Sequence, residues 1–244
     1  MSPRPSRTLP ALLFVWGSAA LFAISLAYFL FTYAVSFGRM SGGPITPQKA
    51  AINAALFTGF ALHHSIFARG PIRRAVARRL PGGLERSFYV VVASVLLILV
   101  CAWWRPLPGV AWHATGAAAW MLYAVQAAGL WLTIRGAAVI GIRRLAGLVN
   151  DDVPPAPGSE SSGGAEFKTE GPYGWVRHPI YSGWFLIVFG APVMTLTRLE
   201  FATISAVYIL AAIPLEERTL RAAAGGAYRR YIAEVRWRLL PGVY

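Results

Sequence analysis

The chain has 244 residues, 56% of them hydrophobic and only 14% charged, whereas soluble domains carry roughly 25% charged residues. That composition excludes an ordinary soluble domain and predicts an all-α, polytopic integral membrane protein that forms one structural domain. The formal net charge of +13 would suit nucleic acid. The arginines are grouped in separate loops, however, as in positive-inside topology, so we expect no nucleic-acid partner.

Six apolar runs predict about six transmembrane helices, because a bilayer crossing needs about 20 residues. The first run follows Arg4 and Arg7 and has the order of a secretory signal, but it is much longer than the usual apolar core of about 7–15 residues. We therefore interpret it as a retained span. The predicted spans are 9–37, 48–67, 87–104, 112–134 with an alternative end at 142, 179–197 and 201–215.

Two adjacent histidines, His63 and His64, lie near the end of the second predicted span. Adjacent helical residues project about 100° apart, so the pair cannot hold one metal as an i,i+4 pair does, and we expect no metal site. One interpretation makes both histidines hydrogen-bonding groups at the cytosolic interface. The other places His64, together with Ser65 and Arg69, in the wall of an active-site cavity. The only cysteine, Cys101, excludes a disulfide within the chain.

The connecting segments agree with this membrane topology. The arginine-rich stretch 69–86 carries apolar residues at i, i+4 and i+8, which predicts an amphipathic helix on the cytosolic surface. Trp103, Trp104 and Trp112 are typical of an aromatic belt on the far side. Gln126, inside the fourth span, is expected to make a hydrogen bond between helices, and the alternative is a place in a polar cavity.

The last two predicted spans are joined by a tight turn and form a helical hairpin. Because both spans are short, the hairpin must return Glu216 and Glu217 to the membrane face that holds Arg177 and His178. We expect a cytosolic amphipathic helix from 216 to 240, with an interruption at Gly225-Gly226. The chain then divides into a bundle (1–149), a flexible cytosolic linker (150–170) rich in Pro, Ser and Gly, and a cofactor-binding hairpin with its tail (171–244).

The segment 171–184 carries the chemistry that we expect of a ligand site. Pro179 is a good first helical residue because that position needs no N–H donor. The first-turn N–H groups of such a helix attract carboxylates and phosphates, and Arg177 and His178 precede it directly. The alternative interpretation is an ordinary membrane helix start with Trp and Tyr anchors and a positive-inside arginine.

These motifs resemble those of a known superfamily. One motif is Phe167-x-Thr169-x-Gly171-x-Tyr173-x-x-Val176-Arg177-His178-Pro179-x-Tyr181-x-Gly183, and a second is Glu216-Glu217-x-x-Leu220 followed by Gly225-x-x-Tyr228-x-x-Tyr231. Both are similar to the signature of membrane methyltransferases of the isoprenylcysteine carboxyl methyltransferase type. Upstream, His64-Ser65-x-x-x-Arg69 and Glu85-Arg86-Ser87-x-Tyr89 resemble the bacterial branch that contains methanethiol S-methyltransferase and the NnrU-like proteins.

The resemblance implies a membrane methyltransferase that uses S-adenosylmethionine and acts on a small thiol or other lipophilic acceptor. It implies an active site at the cytosolic face of a bacterial-type inner membrane, with both termini cytosolic, the lipid bilayer as partner and no obligatory protein partner. By motif match, the implied cofactor-binding residues are Tyr173, His178, Pro179, Ile180, Tyr181, Glu216 and Glu217. The candidate catalytic residues are His178, His64 and Arg177, where either histidine could accept a proton because histidine titrates near neutral pH.

Some positions depart from the superfamily pattern. Ala212 stands where the prenylcysteine-type enzymes have a substrate-binding arginine, which argues against a prenylcysteine carboxylate. Ala224 replaces a common aromatic residue, and Arg144 occupies the region of a cofactor-binding glutamine. The alternatives are a carboxyl or phospholipid methyltransferase, a non-enzymatic NnrU-like protein, and a reductase resembling the NADPH-dependent sterol reductases.

Overall fold

The computed structural model describes residues 8–67, 75–80, 84–148 and 170–244, and it is almost entirely helical, which confirms the all-α fold class. The predicted linker 150–170, apart from Glu170, lies outside the described residues, as do Arg69, Phe167, Thr169 and half of the predicted amphipathic helix at 69–86. The helices are α1 (Leu9–Phe31), α2 (Pro47–Phe67), α3 (Glu85–Trp103), α4 (Gly116–Ile140), α5 (Pro179–Phe189) and α6 (Leu196–Glu234). Two short strands, β1 (Val110–His113) and β2 (Val193–Thr195), complete the main elements.

Four of the described helical stretches are long and apolar enough to cross a membrane, namely Leu9–Ser36, Glu85–Trp103, Gly116–Ile140 and Leu196–Glu234. The membrane class is therefore confirmed, while the count of six stays a prediction. Helix α2 has enough length but is less apolar, because it contains several polar side chains. Helix α5 has only 11 residues, which is short of the roughly 20 that a crossing needs.

The predicted fifth span, 179–197, is wrong as a single helix. Helix α5 ends at Phe189, and the next residues are Gly190, Ala191 and Pro192 before β2 begins. Glycine weakens a helix, and proline disfavours the helical region for the residue before it. These residues stop the helix about halfway along the apolar run, so the hairpin is made by a short helix and a long one.

Residue contacts divide the described chain into two compact units. The first contains the described residues within 1–36, 51–104 and 142–152, and in it α1 packs against α3. The segment after the helical turn Ile142–Leu145 closes on α3, since Ser87 Oγ donates to Gly147 O at 2.9 Å. Gly147 has a φ of 77°, which favours glycine at this close approach.

The second unit contains the described residues within 37–50, 105–141 and 153–244, and its central contact is α4 against α5. Gln126 Nε2 on α4 donates to Ile187 O on α5 at 2.9 Å, which confirms the predicted interhelical hydrogen bond. Glycines bring the two backbones together: a Cβ at Gly129 would lie 2.7 Å from Gly183 O. Close backbone approach through small residues is a common way for helices to pack in membranes.

This packing predicts a stability effect at Gly183. A Cβ there would lie 2.9 Å from Thr133 N and within clash distance of Thr133 Oγ1 and Gly129 O. We expect Gly183→Ala to cost about 1–3 kcal/mol, measured as a lower thermal unfolding midpoint in detergent. Gly59→Ala on α2 is the matched control, because a Cβ at Gly59 meets nothing within 4 Å. Equal midpoints for the two variants would contradict the tight packing.

In the second unit, the segments that precede α4 and α6 form a short antiparallel strand pair. Val110 pairs with Thr195 and His113 with Val193. These strands were not predicted, because three or four residues between apolar helices are too few to show an alternation of apolar and polar residues. Trp112, predicted as part of an aromatic belt, donates from Nε1 to Ala191 O at 3.0 Å.

Helix α6 is 39 residues long and begins with Thr195 as its N-cap, whose side chain accepts from Arg198 N at 3.1 Å. It continues past the predicted span end at residue 215, so span and tail are one element despite Pro214. The predicted interruption is confirmed at Gly225, with φ 51° and ψ −115°. The predicted tail helix to 240 is wrong at its end, because the helix stops at Glu234.

Candidate active site

The segment before α5 is held by the chain that follows α6. A 3₁₀ turn at Gly171–Gly174 begins with a φ of 60° at Gly171, a conformation that favours glycine. After this turn, Arg177 N donates to Trp237 O and His178 N to Arg238 O, both at 2.9 Å. The sequence motif is therefore bound along its backbone by the segment beyond Glu234.

Arg177 and Glu217 form a buried ion pair, with Nε to Oε1 at 2.8 Å. The predicted hairpin geometry is thereby confirmed, because the basic start of α5 and the acidic pair of α6 meet. Arg177 also donates from Nη1 to Val235 O at 3.0 Å and Arg236 O at 2.7 Å. The side chain of Glu217 is 0% exposed, so this pair is set in the interior of the second unit.

Two more arginines contact the same carboxylate. Arg221 Nη2 lies 3.1 Å from Glu217 Oε2, and Arg238 Nη2 lies 3.4 Å from it. Glu217 follows the apolar run that ends at Leu215. Burial alone raises the pKa of the Glu217 carboxyl, but hydrogen bonds and charge from His178, Arg177 and Arg238 outweigh burial and hold it at about 2. Glu217 is therefore an anion at neutral pH, and it links the start of α5, α6 and the segment after α6.

The neighbouring Glu216 has a different environment. Its side chain is 35% exposed, and its Oε2 accepts a hydrogen bond from Tyr181 OH at 2.9 Å. His178 Nδ1 lies 3.9 Å from the same oxygen, and His178 Nε2 lies 3.5 Å from Glu217 Oε1. The imidazole stacks on the Tyr181 ring, with centroids 5.5 Å apart and planes at 12°. The structure thus brings two other predicted site residues, Tyr181 and His178, to one partly exposed carboxylate.

Tyr173, another predicted cofactor residue, is buried behind this cluster. Its carbonyl accepts from Tyr231 OH at 2.9 Å. Burial, and secondarily the charge of Glu216, raises the pKa of the Tyr173 phenol, so the phenol stays neutral at physiological pH. The next aromatic residue, Trp175, is half exposed and stacks on Trp131 of α4, with centroids 6.0 Å apart.

His64 lies in the first unit, at the end of α2. Its Nδ1 and Tyr89 OH are 2.6 Å apart, and the neighbouring His63 ring stacks on Tyr89 at 5.5 Å between centroids. The hydrogen-bonding interpretation is therefore confirmed for His64. A place for it in the wall of an active-site cavity stays a prediction, and Arg69, its expected companion, is outside the described residues.

The segment after α6 is a part of the site that the sequence pattern does not indicate. The predicted helix extends to 240, whereas residues 235–238 instead run along Arg177 and His178. One signal was present: Pro241-Gly242 is a turn dipeptide, Gly242 has a φ of 82°, and Tyr244 O accepts from Arg238 N at 2.8 Å. Nothing in the local sequence pattern indicates where the segment after α6 packs.

Comparison with known proteins gives close relatives for nearly the whole chain. Methanethiol S-methyltransferase 2 of Bradyrhizobium diazoefficiens is 36% identical over 227 residues, which cover 91% of this chain and 87% of that protein. Methanethiol S-methyltransferase of Mycobacterium tuberculosis is 36% identical, with 77% of each chain covered. A Nurim homolog of Drosophila melanogaster is 24% identical over 66% of this chain and 65% of that protein. The chain matches no family model and no solved structure.

Proposed function

Since the chain belongs to the family of methanethiol S-methyltransferases, we propose that it transfers a methyl group from S-adenosylmethionine to a small thiol. The observation that carries the proposal is the half-exposed Glu216 carboxylate, which lies between Tyr181 OH and the His178 imidazole at the start of α5. This arrangement is the one place among the described residues where the family motifs meet around a carboxylate that keeps solvent access.

The residues around Glu216 fit the parts of the proposed cofactor. A carboxylate with solvent access suits the ammonium of its methionine portion. The helix start at Pro179 suits the carboxylate of that portion, because first-turn N–H groups lack intrahelical acceptors. The rings of Tyr181 and Trp175, which keep exposed surface, suit an adenine. When bound, S-adenosylmethionine supplies an electrophilic methyl group on a sulfonium.

The roles of the remaining residues follow from their contacts. We assign Glu217 and Arg177 to holding the start of α5 against α6, since Glu217 has no exposed side-chain surface and is contacted by three arginines. We assign His178 to contact with the cofactor and to acceptance of the thiol proton, because its Nδ1 lies 3.9 Å from Glu216 Oε2. A proton-accepting role for His64 is the alternative.

The proposed acceptor is small and lipophilic, and the membrane setting favours this choice. A thiolate attacking a sulfonium cancels two charges, so a site with little water favours the reaction relative to its charged reactants. Ala212 offers no cation for an acceptor carboxylate. We place this site at the cytosolic leaflet, where the arginines beyond Leu215 satisfy the positive-inside rule.

The test is a methyl-transfer assay with labelled S-adenosylmethionine on protein purified in detergent. We expect transfer to methanethiol, and none to a prenylcysteine or a phospholipid. Calorimetry on the same sample should show micromolar binding of S-adenosylhomocysteine and no binding of NADPH. Binding of NADPH alone would indicate the reductase chemistry, and binding of neither ligand would contradict the enzyme proposed here.

A further inference from the structure

We infer that residues Val235–Tyr244, which we name the clasp, bind anionic phospholipid headgroups and thereby couple the charge of the leaflet to the affinity for the cofactor. This inference rests on the proposed function, and it adds a partner and a control that the function itself does not need. It follows from the course of the chain after Gly225, from the side chains that the clasp exposes, and from the charge of the whole segment.

The clasp is bound directly to the site. Its backbone oxygens at Trp237 and Arg238 accept the N–H groups of Arg177 and His178. Its Leu239 O accepts from Ser182 Oγ in the first turn of α5 at 2.6 Å. A displacement of the clasp would therefore shift the residue pair that precedes α5, and with it the helix start that we assign to the cofactor.

The clasp also contacts the buried anion. Arg238 Nη2 lies 3.4 Å from Glu217 Oε2, and its guanidinium lies 5.0 Å from the centre of the Tyr244 ring. Burial tends to lower the pKa of Arg238, but Glu217 outweighs it and raises that pKa, so the guanidinium remains charged. The face of the clasp that carries Arg238 thus packs against the site.

The opposite face of the clasp exposes apolar and basic side chains. Val235 and Leu239 are 4% and 5% exposed and face the interior, whereas Trp237, Leu240 and Val243 are 39%, 42% and 76% exposed. Arg236 is exposed between them. An exposed indole, aliphatic side chains and a cation are the composition of segments that lie at a membrane interface.

The level of the clasp along α5 agrees with an interfacial position. It pairs with the two residues that precede Pro179, where the apolar sequence of α5 begins. The kink at Gly225 lets the chain reverse after α6 has continued past Leu215. The exposed side chains of the clasp then meet the headgroups and not the solution beyond them.

The charge of this part of the chain selects the kind of lipid. Residues 218–244 contain six arginines and one acidic residue, Glu234. Only Arg221 and Arg238 of the six contact Glu217, and Arg218, Arg229, Arg230 and Arg236 are exposed. Exposed arginines near a bilayer favour anionic phosphates, and each adds to the attraction. The partner is therefore an anionic phospholipid surface.

The coupling follows from the hydrogen bonds that join the clasp to the start of α5, and it acts in both directions because coupling between binding sites is reciprocal. Lipid phosphate held by Arg236 keeps the clasp seated, and a seated clasp keeps the N–H groups of Arg177 and His178 paired. The energy available is that of about one surface arginine, so we expect S-adenosylhomocysteine to bind about fivefold more tightly in an anionic bilayer.

The test compares full-length protein in nanodiscs of phosphatidylcholine alone and of phosphatidylcholine mixed with phosphatidylglycerol. Calorimetry measures the Kd of S-adenosylhomocysteine, and native mass spectrometry measures the phosphatidylglycerol retained by the protein. We expect Arg236→Gln to lose most of the fivefold gain and part of the retained anionic lipid, and Arg236→Lys to keep both. Arg39→Gln is the matched control, since Arg39 is exposed but lies on the loop before α2.

Each outcome decides the inference. Equal retention of phosphatidylglycerol by the wild type and Arg236→Gln would overturn it, as would a Kd that does not respond to the lipid. If inorganic phosphate in phosphatidylcholine discs gave the same tightening, the surface would be a free-anion site and not a lipid surface. If S-adenosylhomocysteine bound in no bilayer, the proposed function would fail, and lipid retention would still decide the clasp by itself.

Discussion

Replacement of Glu216 by alanine is expected to weaken binding of S-adenosylhomocysteine by roughly a hundredfold, which corresponds to about 3 kcal/mol. The carboxylate is only 35% exposed, so its attraction to the ligand ammonium is partly shielded from water and exceeds that of a surface ion pair. Truncation would also leave Tyr181 OH without the acceptor it has at 2.9 Å. Calorimetry on protein in detergent measures the change.

Two further variants separate charge from shape. Glu216→Gln keeps an oxygen that can accept from Tyr181 OH but removes the negative charge, and we expect it to bind nearly as weakly as the alanine variant. Glu234→Ala is the matched control, because Glu234 is exposed and ends the same helix. Thermal unfolding should be nearly unchanged in all three variants. If Glu216→Ala bound S-adenosylhomocysteine as tightly as the wild type does, Glu216 would not be a ligand-binding residue.

The sequence predicted the meeting of charges in this site for a simple reason. Two connected apolar segments must return to the membrane face from which they started, so Arg177 and Glu217 had to lie at one level. Motif order alone was sufficient, even though the predicted end of the first segment was wrong. Glycine and proline at 190–192 end α5 at Phe189, yet the strand that follows still turns the chain back into α6.

The different roles of the adjacent residues Glu216 and Glu217 could not be predicted from the sequence. Glu216 and Glu217 are identical in type and are neighbours in the chain, and both were predicted to bind cofactor. Their side chains project about 100° apart on the helix, so one keeps solvent access while the other is enclosed by Arg177, Arg221 and Arg238. Which face of α6 is covered depends on where the chain returns after Gly225.

The clasp and the strand pair were missed because their partners are distant in sequence. His178 N and Arg238 O are separated by 60 positions, a separation about which periodicity carries no information. Thr195 and Val110 pair across 85 positions. In contrast, the kink at Gly225 and the interhelical bond of Gln126 were predicted correctly, because backbone freedom and the cost of a polar group among apolar helices are local properties.

Loss of the Glu217 carboxylate is expected to produce the largest loss of stability in the second unit. Removing one partner of a buried ion pair costs about 3–5 kcal/mol, because the other charge is left buried and unpaired. In Glu217→Gln, Arg177 and Arg238 would keep their charges without the anion that they contact at 2.8 and 3.4 Å. A much lower thermal unfolding midpoint in detergent is the expected result.

Arg221→Gln is the matched control for this loss. Arg221 contacts the same carboxylate at 3.1 Å, but its side chain is 48% exposed and lies one helical turn away. Exposed pairs of this kind contribute only about 0.3–0.5 kcal/mol. We therefore expect the unfolding midpoint of Arg221→Gln to stay close to that of the wild type, so that the difference between the two variants reports burial and not charge alone.

The dependence on pH gives the stricter test of the same ion pair. The pKa of Glu217 is about 2 in the folded protein and 4.5 is its ordinary value, so its ionisation stabilises the fold fully above the ordinary value. That contribution is lost as the pH falls toward 2. The gap in unfolding midpoint between the wild type and Glu217→Gln should therefore be constant from pH 8 to about pH 5 and narrow below it. If the difference in unfolding midpoint disappeared near neutral pH, Glu217 would be protonated in the folded protein. If the midpoints were equal at every pH, the Glu217 charge would not stabilise the fold through the three arginines.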